Sequence, residues 1–234
     1  MNAVFKREFR SYFHTPLGYV IIAAAYFFSG YYFFTYNLYG QTTDFTKLYD
    51  LLFPVVLFLV PVLTMRLMSE EKRSKTDQLL LTAPVSRVGI ILGKYFSAVC
   101  VFLIAISGTL IDAVIASFYG TVDWPCVVGN FLGLVLLGMA LISICLFLSS
   151  ITESQVIAAV LGFAVSLFLM LVDAISYVVS SEFFKEFFEY ISFNERYTSF
   201  TLGVVELRNV VFFISFAALF CTLSTAVLES KRWN

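Results

Sequence analysis

Few side chains in this chain are equipped for chemistry, and their spacing argues against most of it. There is one histidine, His14, which excludes a metal centre built on histidines. The four cysteines are Cys100, Cys126, Cys145 and Cys221; none are spaced C-x-x-C, and three lie inside apolar runs. They read as small packing residues, with no metal ligand set and no disulfide framework among them. Residues 89–95 read G-I-I-L-G-K-Y around Lys94. A phosphate-cradling P-loop has four residues between its glycines and a Ser or Thr after its lysine. Here three intervene and Tyr95 follows. Lys94 is therefore expected at the membrane surface as a lipid-headgroup anchor, and any ATP chemistry must come from another chain.

Two acids, Asp112 and Asp173, sit inside apolar runs. A charge in the middle of a membrane helix costs roughly 2.5–3.5 kcal/mol on insertion scales. Counting about 1.5 Å per residue from the start of each run puts both near the far headgroups. Two readings stand: a water-accessible polar cap, or a pair facing a shared outer vestibule near Arg196 or Arg208.

The elements that hold these residues follow from composition. Hydrophobic residues make up 60% of the 234, charged residues 13%. Soluble domains carry roughly a quarter charged residues, so most of this surface must face lipid. The net charge of -1 excludes a nucleic-acid binder built on a basic field. Six apolar runs are long enough to cross a bilayer, at 17–34, 51–68, 95–119, 126–148, 156–179 and 210–228. They are apolar all round, where barrel strands would alternate, so they are helices. The first run is too long and too aromatic for a cleaved signal peptide and reads as a retained anchor.

Orientation follows from the loops. With the N-terminus inside, the cytoplasmic side holds Lys6, Arg7, Arg10, Arg66, Lys72, Arg73, Lys75, Arg87, Lys94, Lys231 and Arg232; the outer side holds only Lys47, Lys185, Arg196 and Arg208. Both termini are expected in the cytoplasm. Residues 1–16 space Val4, Phe5, Phe9, Tyr12 and Phe13 on one helical face among charges, which predicts an interfacial helix. Residues 180–209 predict a second amphipathic helix on the outer side, through Phe183, Phe184, Phe187, Phe188 and Ile191. Pro61 should kink the second span. Gly129-x-x-x-Gly133 fits a close helix contact, and the aromatics from Tyr26 to Tyr39 read as an interfacial belt or a stacking wall. The fold class is all-α, a single membrane domain over 1–234.

The loop at 69–94 is the most informative stretch. Glu70, Glu71, Lys72, Arg73 and Lys75 form a charged turn, Leu79, Leu80 and Leu81 an apolar patch, and Pro84 stops the helix. Three leucines exposed on a cytosolic loop ask for a partner. Here the sequence resembles the ABC-2 type permeases, and among them the gliding-motility-type subfamily. The match runs through Pro61, Leu63, Thr64, Met65, Arg66, Glu70, Glu71, Thr76, Leu79, Leu80, Leu81, Thr82 and Pro84. The N-terminus (Lys6, Arg7, Glu8, Phe9, Thr15, Pro16, Leu17, Tyr19) and the segment before the last span (Phe200, Gly203, Val204, Val205, Leu207, Arg208) are similar as well. Lys75 and Gln78 depart from the family's usual Gly and Glu, which makes this loop more basic.

The resemblance implies a transport subunit without its own ATPase site. Two such chains, as a homodimer or heterodimer, would each dock a cytosolic ABC ATPase subunit, which binds the ATP and Mg. The cytoplasmic coupling helix between spans two and three would present Glu70, Glu71, Arg73, Thr76, Leu79, Leu80 and Pro84 to it. Relatives of this type are exporters or parts of envelope machinery, which implies a bacterial plasma membrane and accessory envelope proteins as partners besides membrane lipids. Two alternatives are an ion-coupled secondary transporter, which would use midplane charges, and a membrane scaffold that recruits a cytosolic protein through the same loop.

Overall fold

The computed structural model describes residues 1–75, 86–178 and 192–230; of 173–178 and residue 230 it describes the backbone alone. The described residues form helices and no strand. An N-terminal helix α1 (Asn2–His14) turns at Thr15 into α2 (Pro16–Tyr32), which ends in a π-helical stretch, Phe33–Leu38. Pro16 opens α2 where a missing N–H is harmless. A side chain at Gly18 would lie 2.5 Å from the Tyr12 carbonyl oxygen, so the corner closes only on glycine. Then follow α3 (Thr46–Thr64), α4 (Ser69–Arg73), α5 (Arg87–Ile106), α6 (Gly108–Ser117), α7 (Trp124–Ile151), α8 (Gln155–Val178), α9 (Phe193–Thr201) and α10 (Leu207–Ser230).

Six stretches are long and apolar enough to cross a membrane: Pro16–Leu38, Thr46–Arg73, Arg87–Ser117, Trp124–Ile151, Gln155–Val172 and Leu207–Glu229. These match the six runs expected, each beginning earlier than its apolar run. The third begins at Arg87, eight residues ahead of the apolar run, because Lys94 lies inside it. The helical hydrogen bonding continues through its break: Ser107 N–H reaches Leu103 O at 3.0 Å and Ile111 N–H reaches Ser107 O at 3.3 Å. The second span runs as α3 through Pro54 and Pro61.

The helices alternate in direction, so the elements gather at two ends. At one end lie α1, α4, the start of α5 and the ends of α7 and α10; Arg87 pairs with Glu229 there at 2.9 Å. At the other end lies α9, a short wedge whose Phe193, Tyr197 and Phe200 are fully buried. Ser192 caps it by accepting the Glu195 N–H at 3.0 Å. Tyr197 donates to the Tyr49 carbonyl at 2.9 Å, and Arg196 lies over the Phe212 ring at 4.1 Å. The close contact expected at Gly133 is real, with α9 as its partner: a side chain there would meet Phe200 Cβ at 2.5 Å. Large apolar side chains such as Phe27, Phe34, Val156 and Leu207 are more than 60% exposed, an outer surface suited to lipid.

Candidate functional site

The second span does not run straight into its loop. α3 ends at Thr64 and α4 begins at Ser69, which leaves a turn of four residues. Its Leu67 and Met68, and Ser69 after it, are almost completely buried. A helix end and a buried turn both leave backbone groups that must find partners. Side chains from three other elements supply them. Tyr12 of α1 donates its hydroxyl to Leu63 O at 2.9 Å. Ser149 of α7 donates to Met65 O at 3.2 Å and accepts the N–H groups of Met68 and Ser69 at 3.1 and 3.2 Å. A hydroxyl has one proton and two lone pairs, so Ser149 is fully used. Lys94 of α5 donates to Leu67 O at 2.6 Å. Burial, reinforced by the charge of Glu8, pushes the Tyr12 phenol above its ordinary value of 10.0, so it stays a proton donor.

Around this elbow runs a ring of alternating charges. Lys94 Nζ lies 2.8 Å from Glu71 Oε2 and 3.2 Å from Glu8 Oε1. Arg7 joins the two carboxylates from the other side, through Glu8 Oε1 and Glu71 Oε1. The Lys94 side chain is 1% exposed, the two glutamates about 15%. Burial alone would lower the Arg7 guanidinium, but Glu8 and Glu71 outweigh it and raise the group. Ring members come from three elements: α1, which precedes the first span, and α4 and α5, which follow the second. Beside it, Arg66 donates to Glu70 at 2.9 Å and to Thr15 Oγ1 at 2.8 Å. Lys72 reaches the Ser150 carbonyl on α7. A cavity of about 270 Å³ opens between α1 and α4, lined chiefly by these charged side chains. What this arrangement does is mechanical: it fixes the root of the charged loop to α1 and to the third and fourth spans.

A comparison with protein families matches residues 13–234 to the ABC-2 family transporter proteins. The chain belongs to the ABC-2 transporter family. Six membrane-length helices and this match make it a multi-pass ABC-2 permease, the membrane component of an ABC transporter, and membership of the family implies association with an ABC ATPase. No curated protein matches its sequence.

In this permease the residues expected to meet an ATPase fall into two groups. Glu70, Glu71 and Arg73 are in α4; Thr76, Leu79, Leu80 and Pro84 lie outside the described residues. Glu71 turns inward to Lys94 and Arg7, while Glu70 and Arg73 stay at the surface. Lys94 is not the lipid anchor expected: it is completely buried, because two carboxylates and a carbonyl take the place of water around its ammonium. Asp112 is 9% exposed and accepts a hydrogen bond from Ser29 on the first span, which covers it from the side. Asp173 belongs to α8, with its side chain outside the described residues; the expected face at 183–191 lies outside the described residues altogether. Sequence reasoning missed Glu8, Tyr12 and Ser149 as parts of the elbow. One signal was available: the apolar stretch V-G-I-I-L-G at 88–93 precedes Lys94, so the lysine stands between two apolar segments, and a lysine inside a membrane helix requires a nearby anion.

Proposed function

We propose that this ABC-2 permease works as one half of a dimeric exporter, each half coupling ATP hydrolysis by a separate cytosolic ATPase to movement of a substrate across a bacterial plasma membrane. The end that carries α1 and α4 faces the cytoplasm, where Lys6, Arg7, Arg10, Arg66, Lys72, Arg73, Lys75 and Arg87 all lie. Residues 69–85 act as the coupling segment: Glu70, Arg73, Thr76, Leu79, Leu80 and Pro84 meet the ATPase, which holds the ATP and Mg. Glu71 roots that segment in the membrane domain. The observation that carries this reading is the elbow. A loop that merely connects two spans needs no buried tether, whereas one that receives force must be tied to what it moves. Here α1, α5 and α7 all bond to its base. The ATPase contact must differ in free energy between nucleotide states, or nothing is transmitted.

The test is retention of the ATPase. Leu80→Asp places a charge in the proposed apolar contact and is expected to cut the ATPase retained in a mild-detergent pull-down about tenfold, with membrane insertion unchanged; tenfold is about 1.4 kcal/mol. Wild-type retention would remove residues 79–81 from the interface. A chain that purifies without any ATPase, with neighbouring genes co-expressed, would defeat the ATPase coupling itself.

Asp112 and Asp173 are proposed to face a vestibule at the opposite end. Replacing both with asparagine is then expected to reduce substrate-stimulated ATP turnover of the reconstituted complex two- to threefold. Unaltered turnover would leave them as polar caps.

A further inference from the structure

We propose that Lys94 is a positioning residue: its buried ammonium clamps α1, α4 and the third span into one moving body, so that force on the coupling segment enters the membrane through the third span. The transmission half of this proposal rests on the ATPase-coupled reading above; the clamp itself does not. An ammonium has three protons. Each has an acceptor on a different element: Glu8 on α1 at 3.2 Å, Glu71 on α4 at 2.8 Å, and the Leu67 carbonyl at the end of the second span at 2.6 Å. All three protons are therefore committed, and water takes no share, since the side chain is 1% exposed.

A solvent-exposed ion pair would add little and slide easily. A buried one resists separation, because parting it strands a charge in a poor solvent. Moving α4 away from α5 would strand Lys94 between a lost carboxylate and a lost carbonyl. Moving α1 away would remove the second carboxylate. Arg7 strengthens the link on the far side by bridging Glu8 to Glu71, so α1 and α4 are joined directly as well as through Lys94. Backbone packing fits the same purpose. Gly93, next to Lys94, lets α1 lie against α5: a side chain there would sit 3.1 Å from Val4 Cβ and 3.2 Å from the Phe5 nitrogen. One turn on from Val4, Glu8 then falls over the ammonium.

The clamp has an internal asymmetry that a general loss of stability would not reproduce. Glu8 holds α1 and Glu71 holds α4, each through its own bond to Lys94. Glu8→Gln should loosen α1 with α4 still held, and Glu71→Gln should do the reverse. Lys94→Met, which keeps length and loses charge, should loosen both, and Lys94→Arg should restore most of the hold.

Hydrogen exchange read by mass spectrometry on the permease in lipid nanodiscs tests this. In the chain alone, Lys94→Met is expected to speed exchange at least tenfold at both 3–12 and 67–75. Glu8→Gln is expected to do so mainly at 3–12 and Glu71→Gln mainly at 67–75, with Lys94→Arg within threefold of wild type. Equal rises from all three neutral variants, or unchanged exchange at 67–75 in Lys94→Met, would overturn the clamp. The second arm uses the complex with its ATPase, before and after trapping with ATP and vanadate. Wild type is expected to change at 67–75 and 88–96 together, and Lys94→Met at 67–75 alone. A Lys94→Met complex that still responds at 88–96 would overturn transmission through the third span. A wild-type complex silent at 67–75 would overturn the ATPase-coupled reading and transmission with it, while the chain-alone arm would still judge the clamp.

Discussion

Ser149→Ala is expected to lower the stability of the permease by about 2–4 kcal/mol, a large effect for the loss of one oxygen atom. The size follows from what that atom does. Ser149 is fully buried and serves three backbone groups of the elbow at once. The Met65 carbonyl keeps a second partner, the hydroxyl of Ser69. The N–H groups of Met68 and Ser69 lose the acceptor they share, and a buried donor left without an acceptor costs roughly 1–3 kcal/mol. Ser149→Thr keeps the oxygen and adds a methyl group where nothing is exposed, so overpacking replaces the loss of hydrogen bonds. The measurement is the unfolding midpoint in detergent for wild type and both variants. A shift in Ser149→Ala worth less than about 0.5 kcal/mol, the range of ordinary surface substitutions, would mean that water or a moved backbone serves those N–H groups.

Ser149 also shows where a sequence stops being informative. Read along the chain, it opens a short connection between the fourth and fifth spans; in space it closes a turn about 80 residues earlier, since Met68 and Ser149 are 81 apart. A serine at a helix end is common, and nothing local to it names a distant backbone group as its partner. Lys94 illustrates the opposite error. The apolar run as read from the sequence begins just after it, at Tyr95, and the headgroup-anchor reading assumed that the nearest counter-charge is lipid. The counter-charges are Glu8 and Glu71, 86 and 23 positions away. A one-dimensional reading places a lysine at a depth; it does not bring two other helices alongside.

The six spans were legible because each satisfies its own backbone, so apolar length alone is a sufficient sign. Their ends were not, since they depend on contacts. The first span extends to Leu38 through a π-helical stretch whose Asn37 is held by the carbonyls of Thr42 and Asp44. The N-terminal helix was legible from its spacing, and Val4 and Tyr12 are its buried face. Its role as a brace was not, because that depends on Glu8 and Tyr12 meeting groups from the second and third spans. Asp112 was placed near the right end of the third span, but its partner, Ser29, belongs to the first span and left no mark in the local sequence.

Gly138→Leu is expected to destabilise the membrane part by about 3 kcal/mol or more. Lipid is as apolar as leucine, so helices in a bilayer are held together by close contact, and small residues allow it. At Gly138 on the fourth span even a Cβ would lie 2.1 Å from Cε1 and 2.3 Å from Cζ of Phe102 on the third. Ordinary carbon contacts are about 3.5–4.0 Å. Phe102 is 2% exposed and cannot step aside into lipid. Gly138→Ala tests the same contact more gently: alanine gains about 1 kcal/mol of helix propensity over glycine, against an overpacking term of about 1–3 kcal/mol. The clash at 2.1 Å lies far inside contact, so the net is still destabilising. Phe102→Ala alone opens a cavity and costs about 3–5 kcal/mol. In the double variant Gly138→Leu with Phe102→Ala, the added side chain occupies the space the ring left. The two losses should therefore fall short of their sum by about 2 kcal/mol, inside the range measured for contacting residues. Unfolding of the four proteins in one detergent closes the cycle. Additive losses would mean that the third and fourth spans are not held at this contact, and would leave the third span, which carries Lys94, free to tilt against the fourth at that level.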